Sequence, residues 1–151
     1  MPKLNLNTPC VGVCSTVYGD HVCRGCKRFA KEVINWNKYD TIQQQDVFNR
    51  LGALIIEVMR ERVNIVDENL LIEQMDKLNL RYREEQHPLT WAYYLLRAGA
   101  NKIKDISKYG LRLIPPYENT SLNKLFDDLD DDYYLHAQQA FNKLKSITAA
   151  S

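Results

Sequence analysis

Four cysteines carry the most specific chemistry in this chain: Cys10-Val-Gly-Val-Cys14, then eight residues, then Cys23-Arg-Gly-Cys26. The chain has no other cysteine. A thiolate-bound metal needs four sulfurs converging on one point. Two tight turns, each supplying a pair of ligands two to four residues apart, meet that need. Each turn here contains a glycine, Gly12 and Gly25. Glycine lets the backbone fold closely around a sulfur and aim N–H groups at it. Cys10, Cys14, Cys23 and Cys26 are therefore the candidate metal ligands. Zinc and an iron–sulfur cluster both accept four thiolates, and the compact two-plus-two spacing favours Zn2+. Disulfides are the third reading. Residues this close form poor disulfide loops, and Met1-Pro-Lys-Leu-Asn-Leu-Asn lacks the apolar core of a secretory signal, so the cytoplasm is the expected compartment. His21 lies between the pairs and reads as a loop residue, because four sulfurs already suffice.

The flanking residues must position these sulfurs. Tyr18-Gly-Asp20 is a turn signal that would return the chain in a short hairpin. The stretch from Lys27 to Trp36 reads as a helix over about 26–38, placing the second pair at its N-terminus, where the dipole favours thiolate. A turn, a hairpin and a ligand pair opening a helix make a small treble-clef-like metal knuckle built on four cysteines. Phe29, Val33 and Trp36 recur at helical spacing and should face inward. Lys27, Arg28, Lys31 and Lys38 fall on the other side and form the candidate partner-binding surface. The competing reading is a solvated basic face that also neutralises an anionic metal site. Glu32 is placed to pair with Arg28 one turn back.

Pro9-Cys-Val-Gly-Val-Cys14, Cys23-Arg-Gly-Cys26, Arg28, Glu32 and Trp36 together resemble a bacterial family of small proteins of unknown function. Its pattern is P-C-x-G-V-C followed by C-x-G-C-x-R-x-x-x-E-x-x-x-W, and its members are often labelled predicted iron–sulfur proteins. The resemblance covers about residues 8–50. It implies that the four cysteines bind metal together and brings no activity with it. Phe29 stands where the family usually has threonine, and the long remainder is unusual for it.

The rest of the chain reads as helices, so the fold class is mainly α. The knuckle module occupies residues 1–50, and a helical domain, able to pack with it, occupies 51–151. Asp40-Thr-Ile-Gln opens a second helix, capped by Asp40 or by a Thr41–Gln44 box, with Val47, Leu51, Leu54, Ile55, Val58 and Met59 as an apolar stripe. Asp67 caps a third helix over about 68–80, with Leu70, Leu71, Met75 and Leu78 inward. Pro88 begins a fourth, rich in aromatics, which ends at Gly99. A short helix within 100–109 stops at Gly110, and Leu111–Ile114 is extended, an edge strand before two prolines. A short helix over about 121–127 is expected to meet the acidic run Asp127–Asp132 at a solvated junction, before a last helix over about 131–147 that buries Tyr134, Ala137, Phe141 and Leu144.

Net charge of +1 over 151 residues argues against general polyanion binding. The distribution is uneven: residues 1–50 hold seven Lys/Arg against four Asp/Glu, and the remainder thirteen against fifteen. No apolar run reaches the length of a membrane span. No glycine-rich phosphate loop or hydrolytic His/carboxylate spacing is present, and four sulfur ligands would leave zinc no open coordination position. The expectation is a metal-stabilised, non-enzymatic binding module with a protein partner, or a weakly and non-specifically bound nucleic acid. An iron–sulfur redox or sensor protein is the alternative, and an enzyme built in the helical remainder is the third reading.

Overall fold

The computed structural model describes residues 8–10 and 14–150 of the chain. Gly12 lies outside the described residues. The architecture is mainly helical. In order come α1 (Ala30–Asn35), α2 (Thr41–Met59), β1 (Val63–Ile65), α3 (Glu68–Lys77), α4 (Pro88–Gly99), β2 (Leu111–Leu113) and α5 (Leu122–Ala150), with short 3-10 turns between some of them. Two compact units share these elements: one is Ile55–Asp130, the other Thr8–Leu54 with Asp131–Ser151.

In the Ile55–Asp130 unit, α3 and α4 begin as the sequence indicates. The Asp67 side chain accepts from the Leu70 amide, and His87 accepts from Leu89 just ahead of Pro88. Leu71, Met75, Leu95 and Leu96 are fully buried, and Trp91 donates its indole N–H to the Arg83 carbonyl at 2.8 Å. Leu78, expected inside, is half exposed because the helix has already ended at Lys77. The edge strand at Leu111 has a partner the sequence did not disclose. β1 pairs antiparallel with β2 in the register Val63↔Leu113, Asn64↔Arg112, Ile65↔Leu111. Three residues are too few to show an alternating pattern.

Gly110 joins this ribbon to α3. Its φ is +76°, and its carbonyl accepts from the amides of Val66 and Asp67 at 2.8 and 3.1 Å. A Cβ there would lie 2.2 Å from the Asp67 carbonyl oxygen. Gly110→Ala therefore combines a left-handed backbone with a clash against main chain. It is expected to cost about 2 kcal/mol, read as a lowered urea midpoint with unchanged m-value; an unaltered midpoint would show that the ribbon yields without cost.

In the other unit, α2 is capped by Asp40 rather than by Thr41. The Asp40 carboxylate accepts from the Gln43 backbone amide at 2.8 Å, and Gln43 Oε1 accepts from the Asp40 backbone amide at 2.9 Å. Val22, Phe29 and Ala137 form the centre of a core, with Leu54, Tyr134, Ala140 and Phe141 packed against it. The segment from Asp131 onward groups with the cysteine-bearing segment in this unit.

The acidic run does not interrupt the last helix. α5 continues through it as one helix, because Leu125, Leu129, Tyr133 and Ala137 carry a buried stripe straight across at intervals of four. Four of the five acids in the run are engaged. Asp128 pairs with Lys124, Asp130 accepts from the Tyr93 hydroxyl at 2.9 Å, Asp131 pairs with Arg24, and Asp132 lies 3.4 Å from His136. Burial, with Asp130 beside it, pushes the Tyr93 phenol well above its ordinary range and keeps it a neutral donor. Among the described residues, no helix is long and apolar enough to cross a membrane.

Candidate metal centre

The second cysteine pair sits in a tight turn of its own. The Cys23 amide donates to the Arg28 carbonyl at 2.8 Å, and the Lys27 amide donates back to the Cys23 carbonyl at 2.8 Å. A single antiparallel bridge, Val22↔Phe29, closes the turn from outside. Lys27 has φ +66°, and this left-handed step lets the chain double back. It also prevents a helix from starting at Cys26. α1 begins at Ala30 and runs only to Asn35, followed by a 3-10 turn to Lys38, so the expected helix over 26–38 is replaced by a tight turn, a short helix and a second turn. The expected hairpin between the pairs is a 3-10 turn, Ser15–Tyr18, closed by Gly19 at φ +96°.

The turn around Cys23 and Cys26 aims donors at sulfur. The Cys23 sulfur receives the amides of Cys26, Ser15 and Gly25. Burial pushes this thiol up, but those amides and the Cys26 side chain outweigh it and bring it from 9.0 to about 7. Gly25 serves here through its N–H, without a positive φ. The Cys26 sulfur accepts from the Arg28 Nε at 3.2 Å. Its thiol is raised by burial, opposed by the side chain and amide of Arg28. The bond from Ser15, together with Arg24 N–H to Ser15 Oγ at 2.7 Å, lays the chain just after Cys14 against the knuckle. Cys14 is half-buried with its sulfur 3.0 Å from Thr16 Oγ1, and Cys10 is exposed. All four cysteines are free, so the disulfide reading is not realised. The structure brings Cys23 and Cys26 together. Among the described residues, no three His, Cys, Asp or Glu side chains are grouped closely enough to hold a metal ion.

Residues 8–54 match the model of DUF1289, a family of proteins of unknown function. No curated protein and no solved structure matches the chain. The matched stretch ends at Leu54, where the first segment of the cysteine unit also ends.

Within that stretch, Arg28, Glu32 and Trp36 have definite tasks. Arg28 stacks its guanidinium on the Trp36 ring, 4.9 Å from the centroid, while its Nε reaches Cys26. Trp36 in turn meets Phe48 of α2 edge-on at 5.6 Å. Glu32 does not pair with Arg28. It accepts the Phe29 amide at 2.8 Å, capping α1, and binds Arg50 of α2 through two bonds of 2.7 and 2.5 Å. The Arg50 guanidinium also lies 4.0 Å over the Phe29 ring. Arg50 escaped the sequence reading because nothing local marks a partner eighteen residues away on another helix.

The proposed basic surface divides in two. Lys27 is fully buried and Arg28 is 4% exposed, so neither projects to a partner. The left-handed turn at Lys27 directs its ammonium inward, to the Gly25 carbonyl at 3.1 Å and over the Tyr133 ring at 5.0 Å. Lys31 and Lys38 remain exposed, as does Ile34 between them.

α5 covers the knuckle from the far end of the chain. Arg24 pairs with Asp131 and stacks over Tyr134, whose hydroxyl donates to the Val22 carbonyl at 3.3 Å. Phe141 stacks on His21 at 5.4 Å and meets Phe29 edge-on at 5.3 Å. The stripe Tyr134, Ala137, Phe141 was legible as a buried face, but not the surface it packs on; Leu144 at its end remains 43% exposed.

Proposed function

We propose that Cys10, Cys14, Cys23 and Cys26 hold one zinc ion, and that the ion stabilises a non-enzymatic module that binds a protein partner. The observation that carries this reading is the tight turn that brings Cys23 and Cys26 together, with the buried Arg28 Nε 3.2 Å from the Cys26 sulfur and backbone N–H groups holding the Cys23 thiol down. Such donors favour thiolate, the form a metal takes. Bound zinc would supply a structural crosslink, and the protein's own residues would fix the knuckle's shape. An iron–sulfur cluster in a redox or sensor protein is the alternative occupant, since hydrogen bonds to sulfur tune such clusters as well.

The partner surface consists of Lys31 and Lys38 with Ile34 between them, on the outer side of α1 and the turn that follows. Two lysines around an apolar side chain suit a protein with an acidic patch next to apolar residues. Four acids of the chain's own acidic run, Asp128, Asp130, Asp131 and Asp132, are already engaged elsewhere. Nucleic acid is the weaker candidate, as two cations give a small footprint. The test is affinity capture with the full chain and with the double variant Lys31→Glu, Lys38→Glu. Both positions are exposed, so the melting temperature should stay within a degree or two while the captured protein partner is lost. A partner set unchanged by the double reversal would remove this face from consideration.

A further inference from the structure

Arg28 is 4% exposed, yet its guanidinium cannot shed its charge. Among the described residues, no carboxylate forms an ion pair with it; its polar contact is the Cys26 sulfur at 3.2 Å, and its flat face rests on Trp36. Taking such a cation out of water is costly unless an anion compensates. The sulfur its Nε meets becomes an anion as a metal thiolate. Four thiolates around a dication leave a charge of about −2, so a metal-loaded site supplies the missing countercharge.

We infer that Arg28 is the fixed countercharge of the cysteine site, held on Trp36 so that its Nε meets the Cys26 sulfur, and that it ties the protein's preference for the metal-loaded state to a buried guanidinium. This rests on the metal reading above. It goes further by naming the residue outside the ligand set on which metal retention depends, and Trp36 as the residue that positions it. It also predicts opposite signs in two states. Removing the guanidinium should weaken the loaded form and relieve the metal-free form.

The experiment uses the full chain with Zn2+ as the probe. Retention is measured by competition with a chromophoric chelator, and thermal midpoints are recorded with zinc and after chelation. Arg28→Met is expected to bind zinc about 10- to 100-fold more weakly. Its midpoint should fall with zinc present and stay level or rise without it. Arg28→Lys keeps the charge but loses the flat stack and should fall between Met and wild type. Trp36→Leu should weaken zinc binding in the wild-type background and have little further effect in Arg28→Met. Equal zinc affinity in Arg28→Met and wild type would overturn the inference while leaving the metal site standing. Equal loss of stability with and without zinc would overturn it too, reducing Arg28 to a packing residue. If wild type itself takes up no zinc, the metal reading fails first and the inference falls with it.

Discussion

Replacing Cys23 with serine is expected to raise amide exchange across residues 14–38 roughly a thousandfold while leaving α3 and α4 unchanged. The size follows from linkage: a metal present at a thousand times its dissociation constant stabilises the state that binds it by about 4 kcal/mol. Serine removes the sulfur on which three amides converge, so it disturbs both the metal and the turn that presents it. The effect should be confined because the knuckle belongs to one compact unit, and α3 and α4 to the other. It should also fall short of total unfolding. The cysteine unit retains a core of Val22, Phe29 and Ala137 that an isolated zinc finger lacks. Mass-spectrometric exchange on the zinc-loaded proteins decides the matter, and equal rates in the two proteins across 14–38 would refute a structural role for the site.

Glu32→Ala should be the most damaging change outside the cysteines, at about 3 kcal/mol. The Glu32 side chain is 7% exposed and its partner Arg50 27%, so the pair is largely removed from solvent screening. Alanine deletes both bonds to Arg50 and the bond that caps α1 at Phe29. It also leaves a guanidinium over the Phe29 ring with no carboxylate beside it. The double variant Glu32→Ala, Arg50→Met should recover part of the loss, since removing both members of a buried pair costs less than stranding one. Urea unfolding of the single and double variants measures this. A single variant within about 0.5 kcal/mol of wild type would mean that the pair contributes no more than an exposed ion pair.

The helical parts of the fold were legible because their signals are local. Asp67, Pro88 and the stripe from Val47 to Met59 each mark an element within a few residues of themselves. Within the cysteine stretch, the tight turn of Cys23 and Cys26 was legible in the same way, from two closely spaced cysteines around Gly25. The failures share a different cause. The left-handed residue at Lys27 is not a glycine, so nothing in the sequence warned that the helix over 26–38 would begin four residues late. That one backbone step turned Lys27 inward and removed it, with Arg28, from the partner surface. Residues 127–132 read as a break because charge dominated the view, while the buried positions Leu129 and Tyr133 kept the helical period underneath. Pairings between distant segments left no local trace: Glu32 with Arg50, β1 with β2, and Phe141 with His21.

Metal content of anaerobically purified protein tests the central claim most directly. Elemental analysis and a visible spectrum on the same sample should give one zinc per chain and no absorption above the protein band, with zinc lost in a variant carrying serine at Cys10, Cys14, Cys23 and Cys26. Iron with sulfide and a coloured spectrum would move the site to the cluster reading. Protein that holds neither metal, and takes up none when zinc is added, would contradict the account.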